Sequence, residues 1–245
     1  MALNKYNLSG KTILVTGASS GIGMQAAIDI AKQGGNCFIT GRNKLHLQKT
    51  FDELKSGNHQ LFIADLTDDS KIIELVKTLP QLDGIVHSAG ITEYYPIKFI
   101  NKKNIYSIMD INYKAPVLLT SSLLHSKKIN NSASIIFISS LASKYPYFGS
   151  ALYTSSKLAI EGYSKILAFE YGKKGIRSNC ILPSFVKTKM VEDAKKIVSN
   201  KSIDQYKKFL PLGFGLPEDV SNLIVFLLSD DSQWITGQKI AMGSL

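Results

Sequence analysis

The 245-residue sequence predicts an α/β fold, a single Rossmann-type doubly wound parallel sheet of about seven strands with helices on both faces and a small helical lid. Three observations predict it. Short apolar runs of strand length alternate with longer segments of helical period. The short runs are almost continuously apolar, as strands covered on both faces are. A glycine-rich turn joins the first strand to the first helix, where a dinucleotide-binding unit carries one.

The elements follow in order. KTILVT (11–16) is the first strand, leading through TGASSGIG (16–23) into a helix at about 22–33 that QGG ends. NCFIT (36–40) is the second, followed by a helix at about 43–55 closed by KSGN. QLFIAD (60–65) and a helix at 68–79 come next, and LPQLDG then leads into GIVHSAG (84–90). A helical pattern over 102–128 precedes SIIFISS (134–140). Another over 153–172 stops at KKGI, before IRSNCILP (176–183). Glycine, proline and asparagine are the natural punctuation at these ends. The segment at about 187–210 is helical but stands between a strand and a helix, as an insertion that would act as a substrate lid. A helix at 217–229 and the strand QKIAMG (238–243) complete one domain over 1–245, without repeat or linker.

Composition narrows the function. Hydrophobic residues make up 44% and charged residues 20%, which suits a folded domain with a buried core. The longest apolar run, LIVFLL (223–228), is too short for a membrane span. MALNKYNLSGK lacks a signal-peptide core, so a cytoplasmic protein is expected. Cys37 and Cys180 sit in apolar runs and read as buried thiols, with no spacing that suits a metal. The net charge of +10 asks for an anionic partner, but no basic stripe with interleaved aromatics points to nucleic acid.

Within TGASSGIG, Gly17 allows a tight turn, Gly21 lets the backbone approach a pyrophosphate, and Gly23 lets helix pack on strand. Ser19, Ser20 and Ile22 complete the loop, and the helix start favours an anion. The second strand ends in Thr40-Gly41-Arg42, without the acid that an NAD enzyme places at the ribose. Arg42 suits a 2′-phosphate, so NADP(H) is the expected cofactor and NAD(H) stays open; otherwise Arg42 only begins a helix. Asp65 either meets the adenine amino group or caps the helix after it.

ALYTSSKLAIEG (151–162) places Tyr153 and Lys157 one turn apart on a helix, with Cβ atoms about 5–6 Å apart. By itself the pair is either two solvated side chains or a proton donor beside the charge that tunes it. With TGASSGIG, AGI, DIN, SS, YTSSK and PSFVKT in this order, the chain resembles the short-chain dehydrogenase/reductase family. It looks most like the single-domain branch that includes the 3-oxoacyl-carrier-protein reductases, and the resemblance runs from about Leu8 to Gly243.

The resemblance implies a catalytic set of Asn112, Ser140, Tyr153 and Lys157. Tyr153 would be general acid and base, and Lys157 would favour its phenolate and hold the nicotinamide ribose. Ser140 would donate to the substrate oxygen, and Asn112 would hold a water in a relay from Lys157. Ala151, Ser155 and Ser156 would give the cofactor room beside this helix. Leu66, Ser88, Ala89, Gly90, Pro183, Val186 and Thr188 would complete the cofactor site, and no metal is expected. The chain departs from the family at Ser184 for a glycine, at HSAG for NNAG, and at its AMGSL end.

Glu93, Tyr94, Tyr95, Tyr145, Tyr147, Phe148, Phe185 and Met190 are expected around the substrate. Lys187, Lys189, Lys195, Lys196, Lys201, Lys207 and Lys208 of the lid suit an anionic or carrier-bound substrate, or are a solvated face. The function implied is hydride transfer between NADP(H) and a carbonyl or secondary alcohol. The rival is a non-catalytic NADP(H)-binding sensor or scaffold. Val117, Leu118, Leu123, Ile160, Ile166 and Phe169 give the two long helices more than one apolar face, and SQWITGQ (232–238) resembles a family contact region. A homotetramer is expected, with a dimer as the fallback.

Overall fold

The computed structural model describes residues 6–55, 57–195 and 210–243. Seven parallel strands form one sheet in the order β3-β2-β1-β4-β5-β6-β7. They are β1 (Thr12–Thr16), β2 (Asn36–Gly41), β3 (Gln60–Ile63), β4 (Leu82–His87), β5 (Ile129–Ile138), β6 (Arg177–Pro183) and β7 (Lys239–Met242). The α-helices between them are α1 (Gly21–Lys32), α2 (Lys44–Asp52), α3 (Asp69–Thr78), α4 (Lys102–Met109), α5 (Ala115–His125) and α6 (Ala151–Tyr171). After β6 come α7 (Lys189–Lys195) and α8 (Pro217–Leu228). The lid expected at about 187–210 is represented by α7, and Lys196, Lys201, Lys207 and Lys208 lie outside the described residues.

Successive residues of a strand point to opposite faces, and the apolar runs divide on that period. Leu14, Ile85, Ile135, Phe137, Cys180 and Leu182 face one core with α3, α5 and α6. Ile13, Val15, Val86, Ile136 and Ile181 face the other, with α1, α2 and α8. Continuous apolarity in the sequence therefore becomes two cores on either side of one sheet. Between strands the chain re-enters the sheet through left-handed residues at Gly34, Lys127 and Gly175.

The helix expected over 102–128 is interrupted. Residues Asp110–Lys114 form a turn of π-helix, and Pro116 in the first turn of α5 restarts the α-helix. Proline lacks the N–H that an unbroken helix needs at that point, and single π turns often fall at functional sites. The turn carries Asn112. Of the apolar residues expected on more than one face of the long helices, Leu123 and Ile160 are core residues, whereas Ile166 and Phe169 are exposed on α6, as is Trp234 beyond it.

The chain starts in the middle of the sheet, runs outward through β2 and β3, and returns to β4 beside β1. Loops leaving β1 and β4 therefore part at the carboxyl edge, where a crevice opens. His87, the last residue of β4, is buried in the core. Its ring stacks on Phe137 at 4.7 Å between centroids, and Nε2 lies 2.9 Å from Thr120 Oγ1.

Burial holds His87 neutral by lowering its pKa from 6.5 to about 3. The unfolded chain takes up the proton first as pH falls, so this stability is complete above about 6.5 and is lost progressively toward about 3. The slope is at most about 1.4 kcal/mol per pH unit. Urea midpoints measured between about pH 7 and 5 should fall more steeply for the unmodified protein than for His87→Gln. Equal slopes would take His87 out of the acid response.

Candidate active site

The glycine-rich turn is built by close contact. A Cβ at Gly17 would lie 2.7 Å from the Ala89 Cα, and one at Gly23 would lie 2.5 Å from the Gly17 carbonyl oxygen. Neither position admits a side chain. The turn is anchored by Thr50, whose Oγ1 donates to the Ala18 carbonyl at 2.9 Å. Thr16 Oγ1 accepts from the N–H groups of Ser88 and Ala89, each at 3.2 Å. One buried hydroxyl thus joins the loops that leave β1 and β4.

The crevice is a cleft of about 910 Å³. Gly17, Ser19, Ser20, Gly21, Ile22 and Arg42 line one end, with Gly41 and Asn43. Leu66, Ser88, Ala89 and Gly90 line the middle. Ser140, Tyr153, Lys157, Pro183 and Val186 line the other end, and Thr188 lies back against Gly21. The first turn of α1 has no side-chain cap and no acidic residue, so the positive end of the helix dipole is open to the cleft. Those features fit a dinucleotide phosphate. Thr188 closes over the turn, its Cγ2 3.1 Å from where a Gly21 Cβ would stand.

Three expected cofactor or catalytic residues do not line the cleft. Gly23 is packed beneath the turn. Asp65 turns toward Thr67, accepting from its N–H at 3.0 Å and its hydroxyl at 2.7 Å, and lies 3.8 Å from Arg42. Burial draws the Asp65 carboxyl upward, but the Thr67 bonds and the Arg42 charge outweigh it and hold the carboxyl below its usual range. The cap of α3 is Asp68, which accepts from the Ser70 N–H.

Asn112 is the third. Its Oδ1 accepts from the Ile91 N–H at 2.9 Å, while Nδ2 donates to the Ile91 carbonyl at 2.9 Å and to Ser156 Oγ at 3.0 Å. It clasps the loop after β4 to α6. Ser156 is buried beneath it and Ser155 is exposed, so neither makes room in the cleft as the sequence suggested.

Ser140 accepts from the Ala142 N–H at 3.2 Å and lies beside the Tyr153 phenol. Burial pushes Tyr153 up to about 12, against the lowering effect of Ser140. Lys157 Nζ donates to the Ile138 carbonyl at 2.9 Å and stands 5.6 Å from the centre of the Tyr153 ring. Burial draws Lys157 down to about 8, with Cys180 and Glu161 opposing it. Tyr94 and Tyr147 pack ring to ring at 5.7 Å, and Phe185 meets Phe214 edge-on at 5.7 Å; Tyr94, Tyr147 and Phe185 line the cleft.

The segment after β6 is held from both sides. Lys187 N–H donates to the Gly215 carbonyl and Gly215 N–H to the Phe185 carbonyl, with Val186 buried between. Two departures from the family pattern meet each other here. The Ser184 N–H donates to the Met242 carbonyl, and Ser184 Cβ is 3.4 Å from where a Gly243 Cβ would stand.

Thr16, Ser139, Glu161 and the Ile138 and Ile91 backbones were not singled out from sequence. Their parts depend on segments remote in the chain, and only the hydroxyl of Thr16 at the mouth of the glycine turn offered a local signal.

Fold and cleft together define an oxidoreductase of the dinucleotide-binding α/β class. The chain belongs to the short-chain dehydrogenase family, whose model matches residues 11–198. It is 34% identical over 235 residues to the 3-oxoacyl-acyl-carrier-protein reductase of Rickettsia felis, covering 96% of this chain and 95% of that one. It is 29% identical to a hydroxynaphthalene reductase of Aspergillus fumigatus, covering 94% and 90% of the two chains. Among solved structures, a short-chain type dehydrogenase/reductase from Mycobacterium ulcerans superposes with a TM-score of 0.86 at 26% identity, covering 96% of this chain and 89% of that one. No helix among the described residues is long and apolar enough to cross a membrane.

Proposed function

We propose that the protein is an NADP(H)-dependent carbonyl reductase or secondary-alcohol dehydrogenase with Tyr153 as its general acid and base. The placement of Ser140 beside Tyr153 carries the reading: both hydroxyl groups line one dinucleotide-sized cleft, and Ser140 acts on the phenol to lower its pKa. A sensor or scaffold of the same fold has no use for that pair. Ser19, Ser20 and the open start of α1 would hold the cofactor phosphates, and Ser88 to Gly90 and Val186 would flank its nicotinamide end. When bound, the nicotinamide supplies or accepts the hydride.

In the reductive direction Tyr153 gives its proton to the oxygen of the carbonyl, and in the oxidative direction it takes that proton back. A phenol held near 12 is protonated at neutral pH, the form that reduction needs. Ser140 donates to the same oxygen as negative charge develops there. Lys157, held near 8, can exchange a proton close to neutrality and so recharge Tyr153. Asn112 keeps the loop at Ile91 in place beside them. The aromatic walls and the rim lysines Lys144 and Lys189 support an apolar substrate with an anionic or carrier-bound end.

Screening ketones with NADPH tests this reading. Tyr153→Phe should lose turnover by at least about 100-fold while keeping NADPH binding. Substantial residual turnover would remove Tyr153 from the role.

Arg42 stands free of the core, with 60% of its side chain exposed, at the ribose end of the cleft. A charge-assisted contact to a 2′-phosphate contributes about 1.5–3 kcal/mol, and its exposure puts it in the lower half. NADPH should therefore be preferred over NADH by at least about ten-fold in kcat/KM. Arg42→Ala should erode the preference without harming NADH use. Gly41→Asp should reverse it, after a small shift of Ser19, which lies 3.3 Å from the new Cβ. Equal efficiency with both cofactors in the unmodified protein would leave Arg42 as the start of a helix only.

Exposed Leu158, Ile166 and Phe169 on α6, and fully exposed Trp234, support assembly of copies into a homotetramer, or failing that a dimer. Light scattering at micromolar concentration should find such an assembly; a monomer would overturn it.

A further inference from the structure

Behind Ser140, Tyr153 and Lys157 lies a second polar layer with no part in the chemistry above. Glu161 follows Lys157 by one turn of α6 and is 2% exposed. Its Oε1 accepts the hydroxyl of Ser139 at 2.6 Å, and its Oε2 lies 2.8 Å from Lys239 Nζ on β7. A carboxylate so placed is costly unless it is paired and hydrogen-bonded, and this one is both.

Ser139 stands between the two groups that shape the cleft wall. On one side is the Ile138 carbonyl that holds Lys157, and on the other is Ser140, beside Tyr153. The Ser139 N–H donates to the Ile181 carbonyl at 2.8 Å. Its backbone is therefore fixed to β6 and its side chain to α6. We propose that Glu161 is a positioning residue of this site: by holding Ser139 it fixes the end of β5, and with it the Ile138 carbonyl on Lys157 and the Ser140 hydroxyl on Tyr153, with Lys239 as its counter-ion. The functional meaning of this arrangement rests on the reductase reading.

The charges around the pair have an order. Tyr153, Lys157 and Glu161 come from α6, Cys180 from β6 and Lys239 from β7, while the segment just after β5 brings only the hydroxyls of Ser139 and Ser140. Burial pushes the Cys180 thiol up to about 11, so it is neutral at working pH. Glu161 favours the charged form of Lys157 against its burial. Removing the Glu161 charge should let Lys157 lose its proton more readily, and removing Lys239 should act in the opposite sense.

The test uses Glu161→Gln, which keeps an acceptor for Ser139 but not the charge, and Lys239→Met. Lysine-selective 13Cε NMR of the cofactor-free protein reads the titration of Lys157, its signal assigned by its loss in Lys157→Met. Glu161→Gln should move that titration down by at least about half a pH unit, and Lys239→Met should move it up. General loosening does not produce shifts of opposite sign. Unmoved titrations, or two shifts of one sign, overturn the proposal. If Glu161→Gln does not fold, Lys239→Met decides alone, an upward shift supporting the proposal and no shift overturning it. With NADPH and a reducible ketone, the alkaline limb of kcat/KM should move as the NMR titrations do. Opposite NMR shifts in a protein that reduces no ketone would support the place of Glu161 and count against the reductase reading instead.

Discussion

A lysine ammonium withdrawn from water needs a partner, and the one that Lys157 finds is the carbonyl of Ile138 at the end of β5. That bond ties the middle of α6 to the carboxyl edge of the sheet, and the rest of the cleft wall follows from it. Tyr153, one turn earlier, is brought over the end of β5, where Ser140 meets its phenol. Asn112, reached through the π turn, is brought against Ser156 on the same helix and fastens the loop after β4 there. Without the Lys157 bond, α6 would still pack through Ile160 and Leu167 and hold Ser139 through Glu161, but the turn that carries Tyr153 and Lys157 would lose its own tie to β5.

The opposite end of the cleft is organised by contact rather than charge. Gly17 lies so near Ala89, and Gly23 so near Gly17, that these loops form one surface. Thr16 supplies its hydrogen-bonded seam. Both ends depend on the neighbourhood of β1, β4 and β5 in the sheet, which comes from the outward-and-return path of the chain. The aromatic substrate walls are added by loops laid over this frame, so they can vary without disturbing it.

The strand and helix pattern was legible because burial on both faces leaves near-continuous apolar runs, and all seven expected strands are present. The expected break-free helix over 102–128 was not, since apolar period alone hides a π turn whose cause is Pro116 and whose content is Asn112. Residues that form local motifs, such as the glycines of 17–23 or Tyr153 with Lys157, could be picked out as a set. Glu161 could not, because it shares a helix with those residues but gains its partners from β5 and β7. Asp65 shows the same limit. Neither the adenine contact nor the helix cap read from its sequence includes Arg42, which comes from the end of another strand.

The left-handed turns at Gly34, Lys127 and Gly175, where the chain enters β2, β5 and β6, lie on the edge away from the cleft. None of the three residues lines it. Lineages that lengthen these turns can therefore acquire new surface features without passing through an inactive ancestor, because growth there leaves the chemistry untouched. The loops after β1, β4, β5 and β6 line the cleft, so change there reaches the cleft itself. Innovation in this chain has two addresses, one for what it does to a small molecule and another for what it displays to its surroundings.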